Sequence, residues 1–505
     1  MAEVRCLPGA VAHHVVDALQ WEALAQRLQQ RGARLFTLWA AASGDGGQSL
    51  YALWLDGDAL TLAQHDLPAG VTHYPGLHSL FPAAERLQRA LRDLSGLQAL
   101  GIDARPWLRH TAWPAQQHPL RDARLTVPAC GQIAADAYAF VPVDGEGVHE
   151  VPVGPVHAGV IEPGQFRFSV VGEKILRLEE RLGFTHKGVE KRFEGLPLIE
   201  GVRLAARLSG DSAVANAWAY CMAAEALAAV DVPPRALHLR ALLLERERLA
   251  NHLGDIGAIA NDGGFGFALA QFSRLKEDLL RLNATVFGAR YPFDAVQPGG
   301  VAVDLHGDAS AMLRNQHALL RTEVQRLKTI LDEHEGLQDR LRTTGRVRPE
   351  LAARLGLLGL AARASGQALD LRTWPGFAPY GQLAVEVATH DDGDVAARVA
   401  VRFAEVFTAL QLADRLLDTL PAGAVRAAWP ERVGPGLALG LAEGWRGPHG
   451  IALHTGADGR ITRCHPHDPS WQNWPALEWA VIGDIVADFP LINKSFNLSY
   501  SGHDL

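Results

Sequence analysis

Apolar residues recur along this chain with two distinct periods. Leu35 to Ala41 and Ser49 to Leu55 are apolar-rich runs on either side of Ser43-Gly44-Asp45-Gly46-Gly47, which predicts a β-hairpin closed by a loop. Phe166, Phe168 and Val170 alternate ahead of Gly172-Glu173 and predict a second hairpin. Elsewhere the period is helical. A helix is expected from Pro82 to about Leu94, and another after Pro233-Pro234, ending near Asn261-Asp262-Gly263-Gly264, where Asn and Gly suit a helix stop. Leu313, Leu320 and Leu327, with Val324 and Leu331, predict a long helix. Val399, Phe403, Val406 and Leu410 predict another, with Asp394 as its N-cap. These stripes read as packing faces rather than cofactor-binding ones.

Around His118-Pro119-Leu120-Arg121 the pattern dissolves, and Val127 to Glu150 reads as an extended linker. The expected fold class is α+β. A small N-terminal α+β domain (1–125) is followed by a linker (126–148). A large, mainly helical domain with a small antiparallel sheet then occupies 149–505.

Composition narrows the function classes. At 505 residues the chain is long enough for roughly two to four domains. Its net charge of −8 excludes the basic footprint of a nucleic-acid binder. No apolar run is long enough to span a bilayer, and Met1 to Pro8 lacks the pattern of a secretory signal, so a cytoplasmic or membrane-peripheral protein is expected. The four cysteines, Cys6, Cys130, Cys221 and Cys464, are scattered without any C-x-x-C pair, and read as buried thiols.

The local strings are more specific. The segment from Gly147 to Gly164, with Gly154-Pro155-Val156-His157 and Glu162-Pro163-Gly164, is followed by Thr185-His186-Lys187-Gly188-Val189-Glu190-Lys191. Further on stand Glu245-Arg246-Glu247-Arg248-Leu249-Ala250-Asn251-His252, Gln271-Phe272-Ser273-Arg274, Ala362-Arg363-Ala364-Ser365-Gly366 and Asn473-Trp474-Pro475. In this order the strings closely resemble the large subunit of energy-converting, formate-hydrogenlyase-type nickel-iron hydrogenases and its complex I counterpart. Tyr74-Pro75, Phe81-Pro82-Ala83-Ala84-Glu85 and His118-Pro119-Leu120-Arg121 resemble the accessory subunit that complex I carries separately and these hydrogenases carry fused.

The resemblance implies a hydrogenase-large-subunit-like domain whose nickel would be held by two C-x-x-C pairs. At the first pair this sequence has Ser209-Gly210-Asp211-Ser212, and at the second Ser499-Tyr500-Ser501-Gly502. The former ligand positions Ser209, Ser212, Ser499 and Gly502 thus carry no thiolate, and soft nickel has no substitute in a hydroxyl. Relatives commonly carry a C-terminal extension removed after metal insertion; here the sequence ends at Leu505, so nothing of that kind is expected. By family position, His157, Glu162, His186, Ser209, Asp211, Ser212, Ser499 and Ser501 are expected to converge on the vacated cavity. Such histidines and carboxylates can carry protons, and a buried Asp211 has to be paired or protonated.

The resemblance further implies a peripheral subunit on the cytoplasmic face of the membrane. It is expected to dock an iron–sulfur small subunit, which carries the cluster, and membrane-arm subunits of a complex I-like assembly. This chain is expected to bind no cofactor of its own unless a quinone enters the cavity; a non-catalytic scaffold is the alternative. The tyrosine that binds quinone in complex I falls at about Gly210, so that role does not transfer. Three other strings read more plainly. Asp332-Glu333-His334-Glu335 is expected on a solvated helix face, His465-Pro466-His467 on a surface loop, and Asn261 to Gly266 in a helix-connecting loop without a nucleotide fingerprint.

Overall fold

The computed structural model describes residues 4–57, 59–110, 113–122, 138–158 and 161–505. The chain opens with β1 (Arg5–Leu7), β2 (Val11–Val15) and α1 (Ala18–Gln30), then β3 (Arg34–Ala42), β4 (Gln48–Asp56) and β5 (Ala59–Leu67). The sheet order is β2-β5-β4-β3, with β3 and β4 forming the first predicted hairpin and β2 running parallel to β5. Both hairpin strands are buried along nearly their whole length because the sheet is covered on two faces. On one face Trp21 of α1 packs edge-on against Trp54, with ring centroids 6.3 Å apart. Asp17 and Gln20 form a capping box that starts α1. Short strands β6 (His73–Tyr74) and β7 (Gln98–Ala99) flank α2 (Ala84–Ser95), which covers the helix expected from Pro82.

Strands β8 (Val148–Val153), β9 (Gln165–Val171) and β10 (Lys174–Arg181) make an antiparallel sheet in the order β10-β9-β8. Phe166, Phe168 and Val170 point into the core from β9, as their alternation predicts. Val148 to Glu150, read as the end of an extended linker, already belong to β8; residues 126–137 lie outside the described residues.

Then come α3 (Val189–Phe193), α4 (Leu198–Ala205), α5 (Ala213–Ala228), α6 (Pro234–Asp262), α7 (Gly266–Phe287), β11 (Val296–Gln297), β12 (Gly300–Val301), α8 (Ala309–Asp332), α9 (Glu335–Leu341), α10 (Pro349–Leu355), α11 (Gly359–Arg363) and α12 (Val395–Asp418). Helix α5 is apolar nearly all round and correspondingly buried, with α6 beside it as the long central strut. The leucine stripe of α8 and the Val399–Leu410 stripe of α12 face the core. The Asp394 carboxylate accepts the Ala397 N–H at 2.8 Å, the N-cap its position predicts, a contact worth about 1 kcal/mol.

The chain closes with β13 (Gly436–Glu443), β14 (Pro448–Thr455), β15 (Ile461–His467), α13 (Ser470–Ala480), α14 (Phe489–Phe496) and α15 (Tyr500–Asp504). These strands make a sheet in the order β1-β13-β14-β15, so the first strand of the chain is completed by the last sheet. The architecture is α+β.

Two local expectations are corrected. His465-Pro466-His467 is the buried end of β15, not a surface loop. There Trp39 stacks on His465 with centroids 5.6 Å apart, and Phe36 meets His467 edge-on at 4.6 Å. Asp332 to Glu335 do not share one helix. Asp332 ends α8, and His334 caps α9 by accepting the Leu337 N–H at 3.0 Å. Among the described residues no helix is long and apolar enough to cross a membrane.

Candidate functional site

The start of α5 and the C-terminal helix α15 meet in the interior of the chain, where Ser209 and Ser499 are in contact. Ser212 stands at the N-cap of α5, where the first free backbone N–H groups of a helix attract a negative partner. The carboxyl group of Glu247 on α6 meets these N–H groups, its oxygens accepting from Val214 N at 2.7 Å and Ala215 N at 3.2 Å. Across the site Ser499 caps α15, its hydroxyl accepting the Gly502 N–H at 2.9 Å. The hydroxyls of Ser209 and Ser499 are hydrogen-bonded to each other at 2.9 Å, and Ser209 also lies 2.7 Å from Asp211 Oδ1. Ser212 donates to the same oxygen at 3.3 Å. Three of the four positions assigned to metal ligands therefore share one hydrogen-bonded cluster with Asp211.

The fourth, Gly502, is packed without a side chain. A Cβ there would lie 2.5 Å from Asp468 Oδ2 and 2.9 Å from Ser499 Oγ. That Asp468 oxygen is buried without a hydrogen-bond partner, and so is His449 Nε2, on the strand that follows Arg446.

A cation that no sequence string singles out completes the cluster. Arg446, at the tip of the β13–β14 hairpin, reaches Asp211 Oδ2 at 2.7 Å and Oδ1 at 3.3 Å, and donates to Asn497 O at 2.7 Å. Its guanidinium lies over the Trp445 ring at 4.2 Å, and Trp445 and Asn251 both donate to the Asp211 carbonyl at 2.8 Å. Gly359 allows the hairpin tip to sit here: its φ is +59°, and a Cβ would collide with the Arg446 carbonyl. Burial pushes the Asp211 carboxyl upward, but Arg446 and the two serines outweigh it and hold it at about 2. About 36% of the Asp211 side chain faces solvent, so the pair is open to screening along one edge.

Behind this pair runs a chain of buried charges. Asn497 Nδ2 donates to Asp255 at 2.7 Å, and Arg402 pairs with the same carboxylate at 3.0 Å. Glu405 meets His252 and Arg363, each at 2.8 Å, and Arg363 reaches Glu443 at 2.9 Å. Burial drives two members toward neutral pH: Glu247 to about 8, and Glu443, beside Asp370, to about 7. At neutral pH Asp211 is thus a fixed charge, and Glu247 and Glu443 are the groups able to hold or release a proton.

The remaining sequence-expected residues reach α15 at separate points. Glu162 accepts the Ser501 N–H at 3.1 Å, and His157 Nε2 lies 3.4 Å from the Tyr500 hydroxyl. His186 is at the far end, with Nδ1 2.7 Å from the Asp504 carbonyl and its ring stacked on Trp113. Sequence reasoning missed Arg446, Trp445 and Asp468. The Gly444-Trp445-Arg446-Gly447 turn, a charged residue between glycines, was the only signal available for the first two. Among the described residues no cysteine lies in this cluster: Cys221 stands nine residues beyond Ser212, about 13 Å along α5. Cys6, Cys221 and Cys464 are free and buried, and burial pushes all three thiols up, Cys6 to about 12.

Comparison with known proteins identifies the family to which this architecture belongs. Residues 262–436 match the family described as the respiratory-chain NADH dehydrogenase 49 Kd subunit. Formate hydrogenlyase subunit 5 of Escherichia coli is 34% identical, over 87% of this chain and 78% of that protein. An NADH-quinone oxidoreductase subunit of Dehalococcoides mccartyi is 28% identical, over 68% of this chain and 95% of that protein. A chain in the solved structure of the membrane-bound sulfane sulfur reductase, an archaeal respiratory membrane complex, superposes with a TM-score of 0.68. It is 27% identical, over 72% of this chain and all of that one. The protein belongs to the family of formate-hydrogenlyase-type hydrogenase large subunits and complex I 49-kDa subunits.

Proposed function

We propose that this chain is a peripheral subunit of a membrane-bound redox complex that works without nickel, on the cytoplasmic face of the membrane. In this reading it docks an iron–sulfur small subunit and membrane-arm subunits, and its vacated metal pocket serves as a proton-coupling cavity beside the partner's cluster. The observation that carries the reading is the donor set. Serine hydroxyls and a bare glycine stand at the ligand positions, and a guanidinium fills the space beside them. Such a set repels a soft divalent cation instead of binding one. The fixed Asp211–Arg446 pair supplies a charge to which the proton on Glu247 responds. A quinone is the acceptor we favour for the assembled complex. The likeness to the sulfane sulfur reductase makes sulfane sulfur the competing acceptor.

The hydrogen bonds that join Ser209, Ser499 and Asp211 favour a second reading, a non-catalytic scaffold whose former metal pocket is simply filled. Metal analysis of the purified complex, with hydrogen uptake and quinone and polysulfide reduction assayed on one sample, separates these. Iron without nickel, no hydrogen turnover and reduction of one acceptor support the proposal. Stoichiometric nickel with hydrogen turnover overturns it, and activity that is unchanged on altering Glu247 leaves the scaffold.

A further inference from the structure

Helix α2 meets β10 and α13 around a cavity of about 410 Å³, none of whose lining residues belongs to the Ser209–Ser499 cluster. Arg86 of α2 joins the three elements. Its Nη1 donates to Glu180 Oε2 on β10 and its Nη2 to Glu478 Oε1 on α13, each at 2.8 Å. The Glu180 N–H also donates to Glu478 Oε1, at 2.9 Å. The guanidinium lies over the Trp107 ring, 4.6 Å from its centroid. One guanidinium therefore serves two carboxyl groups. With both ionised, the trio would hold an excess negative charge where Glu180 is fully buried and Arg86 nearly so. Glu180 Oε1 adds to that cost, because it is shut off from solvent and has no hydrogen-bond partner. An ionised carboxylate needs donors at its oxygens far more than a protonated one does.

The neighbouring charges are engaged elsewhere. Arg89 of α2 lies 3.5 Å from Glu85 and 3.7 Å from Asp103, and it donates to the Tyr138 hydroxyl at 2.9 Å. Arg105 pairs with Asp103 at 2.6 Å and with Glu179 at 2.5 Å, and Arg177 of β10 lies 3.8 Å from Glu179. Arg354 of α10 is exposed and lies over the Trp479 ring at 5.4 Å. From α15, Tyr500 and His503 face the trio; His503 Nδ1 is 2.8 Å from Asp504 Oδ1, and burial pushes the imidazole down, so it brings no second cation at neutral pH. Burial, reinforced for Glu180 by the charge on Glu478, pushes both carboxyls above the ordinary glutamate range in spite of Arg86.

We propose that Glu180 and Glu478 are a proton-binding site that holds one proton between them against Arg86, and that this proton fastens α2 to β10 and α13. With the proton bound the trio is neutral; without it, a surplus charge stands at the junction of three elements. Glu478 lines the cavity and keeps 25% of its side chain open, which gives the proton its way in and out. The sign follows from the raised carboxyls. The stabilisation is complete below the unfolded glutamate value of about 4.3 and is lost as pH rises past neutral. This site is separate from Glu247, which bonds to the first turn of α5, and does not rest on the reading of the former metal pocket.

The test uses infrared spectroscopy of the full chain, reading the band of protonated carboxyl groups as a difference between parent and variant at pH 7. Glu180→Gln and Glu478→Gln each keep an oxygen to accept from Arg86 and leave it a single carboxylate, a one-to-one pair that ionises. Each variant is expected to lose one protonated carboxyl, and the double variant to lose that same one, not two. Spectra that neither variant changes overturn the proposal. So does a loss confined to Glu180→Gln, since burial alone would then hold the proton, or a loss of two in the double variant. If the variants fail to fold by circular dichroism, amide hydrogen exchange in the parent decides. The protection of α2, corrected for intrinsic rates and taken relative to α8, is expected to fall several-fold between pH 7 and pH 9. A constant ratio overturns the proposal.

Discussion

Arg446 and Asp211 lie 235 residues apart in sequence and 2.7 Å apart in the structure, closing the space between Ser209 and Ser212 with an ion pair. The guanidinium side is buried and the carboxylate side is 36% exposed, so the pair is lopsided: its cation depends on the protein, its anion partly on water.

That asymmetry predicts unequal costs for the two halves. Asp211→Asn leaves a buried guanidinium without its counter-charge, whereas Arg446→Met leaves a carboxylate that water can reach. Asp211→Asn should destabilise the fold by about 1–2 kcal/mol, after allowance for screening at the open edge. Arg446→Met should cost less from charge, but also loses the bond to Asn497 O. In the double variant the losses should fall short of their sum by at least about 0.5 kcal/mol in urea unfolding. Strict additivity would show that the two side chains do not act as a pair.

Asp211→Asn also bears on function. The carboxyl is held at about 2, so it carries no proton at neutral pH, and its part in the proposal is a fixed negative charge. The variant is expected to lower coupled turnover of the intact complex several-fold and, because the Asp211 charge helps to raise Glu247, to move the pH optimum downward. Unchanged turnover with an unmoved optimum would remove Asp211 from the mechanism.

Restoring single thiolates should fail for two separate reasons. One soft ligand beside a guanidinium does not make a nickel site, so the purified Ser209→Cys variant should retain no stoichiometric nickel. At the opposite wall, Gly502→Ala drives a Cβ to 2.5 Å from Asp468 Oδ2, with Ser499 Oγ at 2.9 Å. It should destabilise the chain by about 1–3 kcal/mol in thermal or urea unfolding. A neutral effect at 502 would mean that Asp468 swings aside freely.

What the sequence reveals of this site divides along local and non-local lines. The Asp394 cap, the β9 alternation and the helical stripes of α8 and α12 depend on near neighbours and are legible as written. Position by analogy places Ser209 and Ser499 together, and their hydroxyls lie 2.9 Å apart. The burial of His465 was not legible, because it comes from Trp39 in a sheet more than four hundred residues earlier. Arg446 was missed for the same reason. Nothing in Gly444-Trp445-Arg446-Gly447 says that Asp211 is its partner.

The most direct test of a proton at this site is the pH dependence of stability through Glu247. Its carboxyl is buried against the first turn of α5, and burial outweighs the bonds from Val214 and Ala215 to raise it to about 8. The folded chain therefore keeps a proton that the unfolded chain releases near the ordinary glutamate value of about 4.3. The sign follows from linkage. The contribution is fully present below that unfolded value and is lost as pH rises toward 8, because folding must then take up a proton or bury a charge. Glu247→Gln has no proton to lose, so the stability of the parent relative to this variant should decline between pH 5 and pH 8. The decline should be on the order of 1–4 kcal/mol, measured by urea unfolding at each pH. Glu443, raised to about 7 by burial and Asp370, contributes to the same window in both proteins and cancels in the difference. A constant difference from pH 5 to 8 would place the Glu247 carboxyl in its ordinary range, leaving the proton-coupling reading without its nearest proton.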